Sequence, residues 1–238
     1  MNATVVRLAF RSMFGRRRAI LLCVLALVLL AVAVLVRVLA GESTSDASVV
    51  LFEIGLVLIV PLVALIAGTG VIAPEIDDGS IVYLLAKPIS RYVIVISKLA
   101  VAVTCSLVFG ALTMLAPGLI LDPSYTELWL GSGVGALTAG VVYSAIFLML
   151  SIATRHAVVW GLIYVLIWEG LLGGLLSGVR WVSVAQWASA ITDEIAASSR
   201  LDPRLSVVYA IVVAVVVLVL ATWFAGFRLR SFHLTGEE

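Results

Sequence analysis

The sequence predicts an all-α integral membrane protein with six transmembrane helices, and three observations carry that prediction. Hydrophobic residues make up 63% of the chain and charged ones only 12%, against about 25% charged in an ordinary globular domain, and the mean hydropathy is +1.23. Six apolar runs are each long enough to cross a hydrocarbon core about 30 Å thick, which takes roughly 20 residues of helix. Between the second and third runs lies the one concentrated polar island, Ile72 to Leu99. It holds Glu75, Asp77, Asp78, Lys87, Arg91 and Lys98 beside the breakers Pro74, Gly79 and Pro88.

Residues 1–18 read as an interfacial amphipathic helix. At 3.6 residues per turn Arg7, Arg11 and Arg18 form one stripe, and Val6, Phe10 and Met13 fall on a neighbouring apolar face, the pattern of a helix lying in the headgroup layer. The first span runs from Ala19 to Leu39. Arg16, Arg17 and Arg18 precede it as they would a signal peptide, but the apolar run exceeds the roughly 7–15 residues of a cleaved segment. The second span, Val49 to Ile72, contains Pro61, expected to kink it where neighbouring helices re-satisfy the freed carbonyl. Gly68 and Gly70 are read as small residues for close helix packing.

The polar island supplies a cytoplasmic segment at 73–93, followed by spans at Ile94 to Leu121, Gly131 to Ala153 and Val158 to Leu176. From Leu171 to Arg204 the chain mixes Gly170, Gly173, Gly174 and Gly178 with Trp181, Val182, Trp187 and Ile191. Those residues suit an aromatic belt and short helices dipping into the membrane, so the extracellular segment 177–204 is expected to form a re-entrant helical hairpin roofing the outer face. A sixth span, Leu205 to Phe227, completes a single transmembrane domain over 1–238.

Orientation follows from basic residues. With both ends inside, the inner segments hold Arg7, Arg11, Arg16, Arg17, Arg18, Lys87, Arg91, Lys98, Arg155, Arg228 and Arg230, and the outer side Arg37, Arg180, Arg200 and Arg204, that is 11 of the 15 against 4. Because cytoplasmic loops carry the excess of Lys and Arg, the polar island and both termini are placed in the cytoplasm. Arginine outnumbers lysine by thirteen to two in spans built of Ala, Val and Leu, which suggests a bacterial plasma membrane.

Several function classes are excluded. A net charge of +1 gives no reason to expect nucleic acid. Cys23 and Cys105 lie in separate apolar runs without companions at a ligand spacing, so neither a disulfide framework nor a metal site is expected. His156 and His233 stand apart, no HExxH is present, and no Ser, His and Asp group at a supported spacing. A Walker A phosphate loop is also missing. The chain is therefore read as having no enzymatic activity and no cofactor of its own.

The segment Pro74-Glu75 through Gly79-Ser80, then Leu84-Leu85-Ala86-Lys87-Pro88-Ile89-Ser90-Arg91 and Lys98, resembles the permease subunits of ABC-2 type exporters. So do the six spans and the basic amphipathic start. In that family an acidic residue after the second span, a short turn, an LLxxPxxR motif and a following lysine form the coupling segment that docks on the nucleotide-binding subunit. Ser80 stands where the family often has threonine. The resemblance implies a homodimer or heterodimer of permeases with two ATPase subunits, which would hold the ATP and Mg. It implies ATPase-docking roles for Glu75, Asp77, Asp78, Lys87 and Arg91. The carboxylates would meet basic groups of the ATPase, and Lys87 and Arg91 its acidic residues or anionic lipid.

Two other classes share this topology: an ion-coupled secondary transporter or channel, and a non-transporting scaffold or sensor. The first requires ionisable groups buried in spans, and Glu169 is the candidate. Two roles are open to it. It either lies near the outer end of its span, reaching the interface or capping the break before Gly170, Gly173 and Gly174, or lies on a substrate pathway, facing a substrate group or a basic residue such as Arg37.

Overall fold

The structure is a computed structural model that describes residues 6–8, 10, 16–40, 45–81, 83, 90–121, 126–176, 178–196 and 205–230. Lys87, much of the LLxxPxxR stretch and part of the segment 177–204 lie outside them. Every regular element among the described residues is helical. α1 (Arg16–Ala40) is followed by α2 (Ser45–Ile54), which runs through a π-helical turn (Gly55–Ile59) into α3 (Val60–Gly70). The short α4 (Ala73–Asp77) comes next. α5 (Arg91–Ser106) passes through a second π-helical turn (Leu107–Ala111) into α6 (Leu112–Leu121), and α7 (Thr126–Ala153) returns. α8 (Ala157–Ile163) continues as a π-helical stretch (Tyr164–Leu172) and the single turn α9 (Gly173–Leu175). A 3₁₀ turn (Val179–Val182), α10 (Val184–Ala196) and α11 (Val207–Arg230) close the fold.

Five of the six expected spans are helices long and apolar enough to cross a membrane: Arg18–Leu39, Val49–Asp77, Arg91–Pro117, Glu127–Ala153 and Val207–Leu229. The fifth expected span is a shorter apolar helix, Ala157–Leu172. At 1.5 Å rise per residue it reaches about 24 Å, less than a hydrocarbon core of about 30 Å. Pro61 does not act alone either. It sits in the first turn of α3, directly after the π turn, a local adjustment that lets a membrane helix accommodate a missing N–H.

Which face each helix buries follows from side-chain size. α11 buries Ala210, Ala214, Ala221, Ala225 and Leu229 and leaves Ile211, Val215, Val219 and Trp223 exposed. A stripe of small side chains lets helices approach closely while bulky apolar ones face lipid. α1 shows the same economy, burying Leu22, Leu29 and Ala33 on one stripe. α7 forms the centre, packed by α3, α10 and α11. Its contact with α10 depends on Gly135, where a Cβ would lie 2.6 Å from the carbonyl oxygen of Ala188. Thr192 of α10 reinforces that approach by donating to the Gly131 carbonyl at 3.1 Å. Near the N-terminus Val6 and Phe10 pack against this core and Arg7 is exposed.

Candidate functional site

The polar island begins where a helix is forced to stop. Pro74 has no N–H, and its ring collides with the carbonyl four residues back, so the helix of α3 cannot run on into α4. Two carbonyls are left over at the break. That of Gly70 loses its donor because residue 74 is proline. That of Val71 loses its donor because the Glu75 amide turns to Ile72 instead, at 3.1 Å. Each orphan is taken by a cation from another span: Arg18 of α1 donates to Gly70 O at 2.9 Å, and Lys98 of α5 donates to Val71 O at 2.6 Å. Both positive charges sit at the C-terminal end of α3, where the helix dipole favours cations.

Lys98 is 1% exposed, and its ammonium also meets Glu75 Oε1 at 2.6 Å. Burying an ammonium is costly unless it is paired and hydrogen-bonded, and here the carboxylate and the carbonyl meet both requirements. Glu75 is thus committed to a partner inside the chain, whereas the sequence alone had assigned it to basic groups of another subunit. Its second oxygen, Oε2, is buried without a partner among the described residues.

Past this junction the segment turns outward. α4 ends at Asp77, and Gly79 takes φ +68°, the left-handed conformation that terminates helices and that glycine adopts without strain. The Gly79 amide donates to Ile76 O at 3.2 Å and the Ser80 hydroxyl to Glu75 O at 3.5 Å. Asp77 and Asp78 are both exposed, side by side at the end of a helix whose root is held by α1 and α5. Arg91 is the first residue of α5, half-buried and engaged in a contact of its own. Lys87 falls outside the described residues.

Glu169 occupies a second, separate site. It is 2% exposed and receives four donors: Tyr164 Oη at 2.8 Å, Ser183 Oγ at 2.5 Å, and the amides of Val184 at 3.0 Å and Ala185 at 3.5 Å. Those amides are the first two of α10, and the third, Gln186, donates to Ser183 Oγ at 3.3 Å. Free amides and positive dipole at a helix start both favour a carboxylate. Glu169 therefore fastens α10 to the π-helical stretch that carries it. The Arg37 guanidinium donates to the Ile120 carbonyl. Beside Glu169 lies a cavity of about 550 Å³, bounded by Glu53 and Leu56 of the second span and by Arg180 and Gln186 of the hairpin.

Sequence reading missed the capping roles of Arg18 and Lys98, which arise only when three spans meet. It also missed Ser183 as a helix start, although Ser183-Val184-Ala185-Gln186 has the Ser-x-x-Gln form of a capping box. No curated relative matches the chain. A family model described as ABC-2 family transporter protein matches residues 14–167, a range that contains the stapled helix break, α4 and the start of α5 and ends just before Glu169. The chain therefore belongs to the ABC-2 transporter family and is a multi-pass permease of an ABC transporter.

Proposed function

We propose that this permease is the membrane subunit of an ABC exporter in a bacterial plasma membrane. In this reading both termini are cytoplasmic, the chain crosses the bilayer six times, and a pair of such permeases, identical or different, moves substrate outward. Two separate ATPase subunits hold ATP and Mg and deliver the work through α4. The observation that carries the reading is the helix break at Val71–Ile72, clamped by Arg18 and Lys98 with Glu75. A force applied to Asp77 or Asp78 has a short, packed route into the first three spans. A loosely tethered loop would dissipate it.

The depth of the hairpin belongs to the same proposal. α10 packs against the half of α7 that starts at Thr126, which supports a re-entrant position rather than a loop standing in solvent. The cavity beside Glu169 is the candidate exit pathway, and its mixed lining suits an amphipathic, largely apolar substrate. An ion-coupled mechanism has less support. Among the described residues the buried charged side chains are Lys98 and Glu169, and both are held by structural partners. Purification of the permease from native membranes under mild detergent tests the proposal. An ABC-type ATPase should accompany it, and its ATP hydrolysis should rise with apolar amphiphiles. Isolation of an intact permease with no ATPase, across several detergents, would contradict it.

A further inference from the structure

A cavity of about 720 Å³ opens beside α4, between that helix, the turn joining α7 to α8, and the last turn of α11. Its charged lining consists of Arg155 and His156 from the turn, Arg228 from α11 and Asp77 from α4. Two guanidinium groups and an imidazole share this lining with one carboxylate, so basic groups outnumber acidic ones. Ser151 lines the same cavity. It is 4% exposed, and its hydroxyl has no partner among the described residues. Ser132 and Thr154 turn back to their own backbone, to Trp129 O at 2.7 Å and Leu150 O at 3.1 Å; Ser144 of α7 also has no partner among the described residues but does not line this cavity. A buried hydroxyl without a partner beside a cationic opening is a donor waiting for an acceptor.

The position of the cavity narrows the acceptor's chemistry. Trp223 and Phe227 stack at 5.9 Å on the exposed face of α11, within the turn or so before Arg228. Tryptophan is enriched at headgroup depth, where its amphipathic ring spans the interface. Val158 and Val159, also at the cavity, are about half exposed on the outside of the bundle, so its wall runs from guanidinium groups directly onto a surface suited to hydrocarbon.

We infer that the cavity binds the phosphodiester headgroup of an anionic lipid of the inner leaflet. The phosphate lies between Arg155 and Arg228 and accepts from Ser151, and an acyl chain follows Val158 and Val159. A phosphodiester brings an anionic group to this basic lining and an acyl chain to the apolar wall, whereas a free phosphate monoester brings nothing for the apolar wall. Because Ala73, Ile76 and Asp77 of α4 line the same cavity, a bound lipid bridges α4 and the α7–α8 turn. That consequence rests on the proposed role of α4 in coupling. The binding itself does not, and is measured on the permease alone.

The test is native mass spectrometry of the full chain titrated with phosphatidylglycerol, phosphatidylcholine or glycerol 3-phosphate. Phosphatidylglycerol should be retained preferentially. Each of Arg155→Gln and Arg228→Gln should weaken that retention about five-fold, the value of one basic residue at an anionic surface. Arg16→Gln with Arg17→Gln, which removes charge elsewhere on the same side, should leave it within two-fold. Ser151→Ala, which removes no charge, should also weaken it and keeps the test open if an arginine variant fails to fold. Equal retention of phosphatidylcholine, or no loss in the Arg155, Arg228 and Ser151 variants, would overturn the inference. Glycerol 3-phosphate binding as tightly as the lipid would reassign the site to a soluble phosphate. A photo-crosslink from position 155 that reaches an ATPase subunit and is insensitive to added lipid would reassign it to protein docking.

Discussion

Lys98 and Glu75 form a 2.6 Å ion pair in which the lysine is 1% exposed and the carboxylate 21%. The same ammonium caps the Val71 carbonyl. One side chain thus joins the third span to the end of the second and to the first turn of α4. Removing the carboxylate leaves an uncompensated buried charge, a loss of about 3–5 kcal/mol. Glu75→Ala should therefore lower the thermal stability of the purified permease markedly. Lys98→Met with Glu75→Gln should recover much of that loss while still impairing transport, because the fastening is gone. Thermal unfolding of the wild type and the two variants, side by side, checks this.

The second prediction concerns Arg18 and Pro74. The guanidinium serves a carbonyl that is vacant only because residue 74 has no N–H. Arg18→Met should cost about 1.5–3 kcal/mol, the range for a hydrogen bond to a charged group. In a Pro74→Ala background, where an amide is available to Gly70, the same substitution should cost clearly less. Equal costs in both backgrounds would show that Arg18 acts through something other than the helix break.

These two predictions mark how far the sequence was legible. The apolar runs located five helices long enough to cross a membrane, since a bilayer demands length and apolarity and little else, and the breakers Pro74 and Gly79 flank most of the short α4. The partners of the freed carbonyls were not legible. Arg18 is 52 positions from Gly70 and Lys98 is 27 from Val71, and a stripe of small side chains shows which face of a helix is buried without showing which helix it meets. The π-helical turns were equally hidden, being backbone adjustments without a residue signature. Glu169 was recognisable as a buried carboxylate, but its donors at Ser183, Val184 and Ala185 come within reach only once the hairpin folds back.

Glu169→Gln should loosen that hairpin. An amide offers one acceptor where the carboxylate had two, and its own N–H groups oppose the amides of α10. Leaving buried donors unpaired costs about 1–3 kcal/mol. The variant should unfold at lower temperature, and a cysteine introduced in place of Gln186 should label faster with a water-soluble maleimide. Tyr164→Phe, which deletes one donor and leaves the carboxylate, should show a smaller change in both readouts. Unchanged stability with altered substrate preference would instead place Glu169 on the transport pathway.

Topology is tested separately. In a background lacking Cys23 and Cys105, single cysteines at Ser45, Ser124 and Ser199 should react with an impermeant thiol reagent in intact cells. Cysteines at Ser80 and Ser231 should react only after permeabilisation. Labelling of position 80 from outside would invert the orientation drawn from the arginines.

The central claim is that α4, held at its root by Lys98 and Arg18, presents Asp77 and Asp78 to an ATPase. The most direct measurement places a photo-crosslinking residue at position 78 of the full chain and irradiates native membranes. The adduct should contain an ABC-type ATPase, identified by mass spectrometry. It should diminish when Lys98→Met releases the root of α4, in protein that remains folded and inserted. An adduct with lipid alone, or an ATPase adduct from position 199 and none from position 78, would contradict the account.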